Sequence, residues 1–185
     1  MDWHKEGKMS DYGYFEGEVI SKWLKNKGKD RDMELKAVFS YIDPDNKQWT
    51  AKIGDVVNGA SIPPLLWGGL LGSPFVGDYR RATVLHDVAC DKQTEPSAAV
   101  HRMFYHAMLC DGVRQAKAYK IYKAVDWFGP DWGAERKPKT ALQEQTIENL
   151  DRLEEAIEKA LEELGPDAPL EELNAVVDVL LSQEY

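Results

Sequence analysis

His86 and Asp87 stand side by side in Ala82-Thr83-Val84-Leu85-His86-Asp87-Val88-Ala89-Cys90, a stretch of small and apolar residues. An imidazole and a carboxylate buried in such surroundings cost desolvation energy, so a use or a partner is expected for each. An imidazole near neutral pKa takes a proton from water. A neighbouring carboxylate holds a cation that polarises a carbonyl or phosphoryl group. His101 follows on the next expected helix, with Phe104, Tyr105 and Met108 at i+3, i+4 and i+7 forming an apolar face that should point inward. His86 and His101 are therefore expected to face each other across a helix pair, with His101 as a metal ligand or as the group that orients His86. Cys90, four residues after His86, stands where it could share a zinc ion with the two imidazoles. The bland alternative is that His86 donates to a backbone carbonyl while Asp87 caps a helix or pairs with Arg80 or Arg81. His4 and His106 read as exposed or locally satisfied.

The elements that must position these groups are legible as periodicities. Residues 12–54 read as a small antiparallel β-meander. A first run holds Tyr14, Val19, Ile20 and Trp23, a second spans 33–41, and a third spans 48–53 after the turn chemistry of Asp43-Pro44-Asp45-Asn46. Residues 55–78 are rich in Gly and Pro, which excludes a long helix or strand and leaves a long, apolar loop. Helices are expected over 78–91, over 97–110 with Ser97 as its N-cap, and over 113–128 up to Gly129-Pro130. The loop between the first two is short, so they should be antiparallel neighbours. In the tail, Leu150, Leu153, Ile157, Ala160 and Leu164 repeat at 3 and 4 spacing, and a second amphipathic run begins at Leu170. The fold class is α+β, with a main domain over 1–136 and an acidic helical hairpin over 137–185.

Charge and composition narrow the function classes. The 185-residue chain carries a net charge of −9. Residues 140–185 hold thirteen acidic residues against Arg152 and Lys159, which leaves the rest at +2. A nearly neutral main domain argues against nucleic acid as a partner. The regular spacing of the tail suggests a helical hairpin that packs on the main domain, or that residues 140–182 meet a protein partner or another copy of the chain. No apolar run reaches the roughly 20 residues of a transmembrane helix, and the start of the chain lacks a signal-peptide core. The cytoplasm of a host cell, or a virion, is the expected location. Cys90 and Cys110 are expected to be reduced.

Asn58-Gly59-Ala60-Ser61-Ile62-Pro63-Pro64, followed by Trp67, Tyr79-Arg80-Arg81-Ala82 and His86-Asp87, resembles a phage and prophage family, the domain of unknown function 1353. The resemblance covers roughly residues 14–132. The family's block usually opens with Asp where this chain has Asn58, and many members carry Asp where it has His101. A second, local resemblance is to the His-Asp helix of secreted phospholipase A2, without that family's disulfides or calcium-loop sequence. It implies His86 as the base, Asp87 as a calcium ligand, and carbonyls around Gly68, Gly69 and Gly72 as the rest of the metal shell. Ser61 reads as a turn hydroxyl rather than a nucleophile.

Together these readings give a phage-encoded, metal-assisted hydrolase acting on a cell-envelope ester or amide. His86, Asp87 and His101 are the catalytic and metal-binding candidates, with Cys90 and Asn58 behind them, and calcium or zinc is the ion. The alternative is a virion or assembly component in which the His-Asp pair is structural.

Overall fold

The computed structural model describes residues 11–25, 32–59, 77–133 and 146–182. The loop at 62–75, Ser61, Gly68, Gly69, Gly72 and His4 lie outside the described residues.

The fold is α+β, with antiparallel strands followed, among the described residues, by five helices. The strands are β1 (Tyr14–Glu16), β2 (Ser21–Trp23), β3 (Met33–Leu35), β4 (Phe39–Ile42), β5 (Gln48–Ala51) and β6 (Val56–Val57). They form a small antiparallel meander arranged as two three-stranded sheets, ordered β1-β4-β5 and β2-β3-β6. The expected single strand over 33–41 breaks in two because its halves serve different sheets. The Leu35 and Lys36 amides bond to Asp55 O and Ile20 O, at 2.9 and 2.7 Å. Beyond the break, β4 pairs with β1 and β5 and is buried along its length. The turn into β5 forms as its residues dictate. Asp43 Oδ1 accepts the Asp45 and Lys47 amides, and Asn46 takes the left-handed conformation at φ 61°.

The helices are α1 (Arg80–Lys92), α2 (Ser97–Cys110), α3 (Gln115–Phe128), α4 (Ile147–Leu164) and α5 (Leu170–Ser182). Every residue of α1 from Ala82 to Val88 is buried. Its small residues let α2 pack closely, and its other sides meet β5 and β6. Ser97 is not the N-cap of α2. Pro96 is, because its extended backbone (φ −58°, ψ 145°) leaves the helix to begin at the next residue. The Ser97 hydroxyl instead reaches Asp131 Oδ1 at 2.8 Å and Trp132 O at 3.0 Å, which fixes residues 130–132 over the start of α2. The third helix begins at Gln115 rather than 113. The Val113 amide closes α2 by bonding to Met108 O while Gly112, at φ 85°, bonds to Leu109 O.

The acidic hairpin is docked on α3. Leu153, Ile157, Ala160, Leu173 and Val177 are buried in an apolar cluster that is continuous with the core beneath the sheets. Polar contacts fix the register. Lys123 Nζ, nearly buried, meets Asp178 at 2.8 Å, Lys120 meets Glu158 at 2.8 Å, and Tyr119 Oη donates to Asn174 Oδ1 at 3.2 Å. Among the described residues no helix is long and apolar enough to cross a membrane.

All six tryptophans precede residue 133, so their fluorescence reports on the part of the chain before the hairpin. Truncating Leu173 leaves a cavity in the shared core, and Leu173→Ala should cost about 2–5 kcal/mol. In urea denaturation the tryptophan midpoint should fall together with the helical circular-dichroism midpoint. A tryptophan midpoint that does not move would show that the hairpin and the core unfold independently.

Candidate metal centre and adjoining cleft

His86 is fully buried in the middle of α1. Its ring stacks on Phe104 of α2, with centroids 4.5 Å apart. His86 Nε2 lies 2.9 Å from His101 Nδ1, and His101 Nε2 lies 3.0 Å from Pro130 O. The tautomers follow from that carbonyl, which only accepts. His101 must carry its proton on Nε2, so neutral His101 offers a lone pair at Nδ1. His86 must then donate through Nε2–H, and its own Nδ1 is an acceptor. Cys90 Sγ lies 3.8 Å from that nitrogen and 3.6 Å from Nε2, which allows the thiol to donate weakly into the chain. The result is a relay from Cys90 through His86 and His101 to Pro130 O. It needs both rings neutral. Burial first, and the neighbouring His101 second, hold the His86 pKa well below its ordinary value, which keeps the His86 ring neutral.

Asp87 is also buried but points elsewhere. Its Oδ2 accepts the Asn58 amide at 2.7 Å and the Gly59 amide at 2.9 Å, tying the end of β6 to α1. Arg81 is engaged with Asp111 at 2.5 Å. The two imidazoles therefore converge, while the carboxylate sits on an adjoining face. Asp87 and Cys90 line one cleft of about 290 Å³ together with Asn58, Asp91, Gln93 and Pro130. The rings lie behind its wall, and Cys90 and Pro130 belong both to that wall and to the relay.

The donor atoms of His86, Cys90 and His101 all lie within 4.8 Å of one another. Two nitrogens and a thiol suit a zinc-like ion, whereas calcium takes oxygen ligands. Bond lengths of about 2.3 Å to sulfur and about 2.05 Å to nitrogen give a tetrahedral N–S edge of about 3.6 Å and an N–N edge of about 3.3 Å. The observed Sγ–Nε2 distance is 3.6 Å. The imidazole nitrogens, at 2.9 Å, are at hydrogen-bond separation and would part by about 0.4 Å to share an ion. Asp87, with oxygen donors on the cleft, is the residue suited to calcium.

Helix arithmetic pairs His86 with His101 and places Asp91 one turn beyond Asp87, on the same cleft. Pro130 carries no such signal, because its contribution is a backbone carbonyl brought in by the loop after α3. Cys90 turns out to be more central to the cluster than its spacing alone indicates.

The family model described as "Protein of unknown function (DUF1353)" matches residues 33–125, half of the chain, and the chain belongs to that family. It is 41% identical over 110 residues to the uncharacterized protein y4jT of Sinorhizobium fredii (strain NBRC 101917 / NGR234), a match that covers 60% of this chain and 32% of the relative. It is 42% identical over 99 residues to the uncharacterized protein y4iH of the same strain, covering 54% and 41%. The chain thus spans well under half the length of either relative. No solved structure matches it.

His86 gives acid sensitivity a definite sign. Its pKa in the folded chain lies below its unfolded value, so below about pH 6.5 the unfolded chain takes up a proton that the native chain refuses. Stability is full above that pH and falls as the pH drops, by at most about 1.4 kcal/mol per pH unit for this group. His106, displaced the same way by burial and then by Arg102, adds to the slope. Urea denaturation between pH 7.5 and 5 should show a flatter dependence for His86→Gln than for the parent chain. Equal slopes would mean that His86 is not held neutral by the fold.

Proposed function

We propose that this chain is a metal-assisted hydrolase whose centre is the His86–Cys90–His101 cluster, with Asp87 on the wall of the substrate cleft. One observation carries the reading. Three metal-ligating side chains from two helices meet in a buried cluster, and one of them also lines a cleft beside an oriented carboxylate. Three protein ligands with a fourth position open to solvent are the usual arrangement of a catalytic rather than a structural zinc site. A bound zinc-like ion supplies Lewis acidity and lowers the pKa of a water molecule.

The chain's own residues do the rest. Cys90 would hold the ion together with His86 and His101, and its thiolate would offset part of the ion's charge in a dry setting. The Pro130 carbonyl accepts from His101 Nε2–H and so aims the Nδ1 lone pair at the cluster, as partners of metal-bound imidazoles do. Asp87, held by the amides of Asn58 and Gly59, faces the cleft ready to accept a proton from attacking water. Asn58, at the cleft mouth, contacts the substrate. The phage character of the resemblance favours an ester or amide of the bacterial cell envelope as substrate, and a phage-encoded protein acting in the host cytoplasm or carried in the virion.

A second reading is favoured by the relay itself. The chain from Cys90 to Pro130 O satisfies both imidazoles without an ion, as a structural pin would. In that reading the chain is a virion or assembly component, and the acidic hairpin over 140–182 is its docking surface for a protein partner or a second copy.

Metal stoichiometry separates the two. The purified chain dialysed against zinc or cobalt should retain one ion per chain, and cobalt should give a thiolate charge-transfer band. Cys90→Ser and His101→Ala should lose the ion and hydrolysis of p-nitrophenyl esters while keeping their helical circular dichroism. Asp87→Asn, which can still accept the two amides, should keep the ion and lose about 10²-fold or more in rate. Failure of the parent chain to hold a stoichiometric ion would leave the structural pin.

A further inference from the structure

Ser97 and His101 stand one helical turn apart on the same face of α2, and they grip consecutive residues of the segment after α3. His101 Nε2–H donates to Pro130 O at 3.0 Å. The Ser97 hydroxyl has one hydrogen and two acceptors, Asp131 Oδ1 at 2.8 Å and Trp132 O at 3.0 Å, and is shared between them. The Trp132 indole closes the clamp by donating to Glu95 O at 2.8 Å, and its ring stands edge-on to His101 with centroids 6.1 Å apart. The near end of the segment is fixed as tightly. The Gly129 amide bonds to Val125 O at 2.7 Å, and a Cβ on Gly129 would lie 2.3 Å from that oxygen, so glycine is what lets the chain leave α3 on this path. Ser97 is buried, and its hydroxyl is spent on this segment rather than on capping α2, whose N-cap is Pro96.

We infer that Ser97 is a positioning residue for the metal centre: it holds the Pro130 carbonyl where that oxygen keeps the His101 proton on Nε2 and the Nδ1 lone pair on the cluster. The metal in this statement rests on the hydrolase reading above, but the hold on His101 does not. The carbonyl selects the tautomer while it stays at hydrogen-bond distance. Proline has no amide N–H to anchor it, so the place of its carbonyl is set by its neighbours. Gly129 fixes one side, and Asp131 and Trp132, through Ser97, fix the other. Groups that hold an ion need to stay within about 0.5 Å of their working geometry, which their supporting contacts enforce. Partners that orient a metal-bound imidazole are typically worth about 10–100-fold in metal affinity or activity. Ser97 acts through the carbonyl and is not itself a ligand.

Two readouts on the full chain test this. Zinc affinity is measured by competition with a fluorescent chelator. Ser97→Ala should weaken it by about tenfold or more, whereas Ser97→Thr, which keeps the hydroxyl, should stay near the parental value. Leu173→Ala, which destabilises the fold from the hairpin side, is the control and should bind zinc as the parent does. In the metal-free chain, long-range 1H–15N spectra read the His101 tautomer. Ser97→Ala should convert a purely Nε2–H ring into a mixture of tautomers and speed exchange of that proton with water, and Ser97→Thr should not. Trp132→Phe, which loses the indole donation to Glu95 O, should shift both readouts in the same direction, and it decides the matter if Ser97→Ala fails to fold. A parent chain that binds no zinc, with the tautomer change present, would sink the hydrolase reading and keep the hold of Ser97 on His101. A His101 that stays purely Nε2–H in Ser97→Ala, an unchanged zinc affinity where the parent binds the ion, or an equal loss in Leu173→Ala each overturns the inference itself.

Discussion

A fully buried imidazole has to be satisfied, and the way His86 is satisfied organises the surrounding fold. Leaving a buried donor or acceptor unpaired costs about 1–3 kcal/mol, a large share of a domain's net stability. His86 meets that requirement with His101, and His101 meets it with a carbonyl that belongs to neither helix. Three pieces of chain must therefore be in place together: α1, α2 and the segment after α3. The Ser97 hydroxyl on Asp131 and Trp132, and the Trp132 indole donating to Glu95 O at 2.8 Å, hold that last segment where the relay needs it. The small residues of α1 and the ring of Phe104 close the remaining space.

The same geometry sets a competition. The position between His86 Nε2 and His101 Nδ1 is filled by one proton in the relay and by one metal ion in the proposed centre. The 2.9 Å separation belongs to the proton, and the 3.6 Å separation to Cys90 Sγ belongs equally well to the ion. Exchange between the two needs a parting of the rings by a few tenths of an ångström and loss of the thiol proton. His86 only changes tautomer, so about one proton should leave per ion bound. The carboxylates of Asp87 and Asp91 on the neighbouring wall favour the cationic occupant.

Much of the frame is legible in the sequence because it is set by local periodicity. The bounds of α2 follow from Pro96 and from Asp111-Gly112, and the facing of His86 and His101 follows from helical arithmetic and a short loop. The buried seam of the hairpin is visible in Leu153, Ile157 and Ala160. What escapes is decided by distant partners. The strand over 33–41 divides because Lys36 answers to Ile20 and β4 to two other strands. Ser97 has the chemistry of an N-cap, but Pro96 takes the position and the hydroxyl goes to a loop more than thirty residues away. Asp87 reads as an arginine or metal partner until the amides of Asn58 and Gly59 are seen on it. The role of Pro130 is a backbone role, and no side-chain pattern encodes it.

The protonation pattern of the two buried rings is the most direct test of this picture. Long-range 1H–15N correlation spectra of the metal-free chain at neutral pH distinguish the Nδ1–H from the Nε2–H tautomer of each histidine. Both His86 and His101 should be neutral with the proton on Nε2, and a hydrogen-bond scalar coupling should join His86 Nε2 to His101 Nδ1. A His86 that carries its proton on Nδ1, or an imidazolium at either position, would contradict the relay on which both the centre and its surroundings depend.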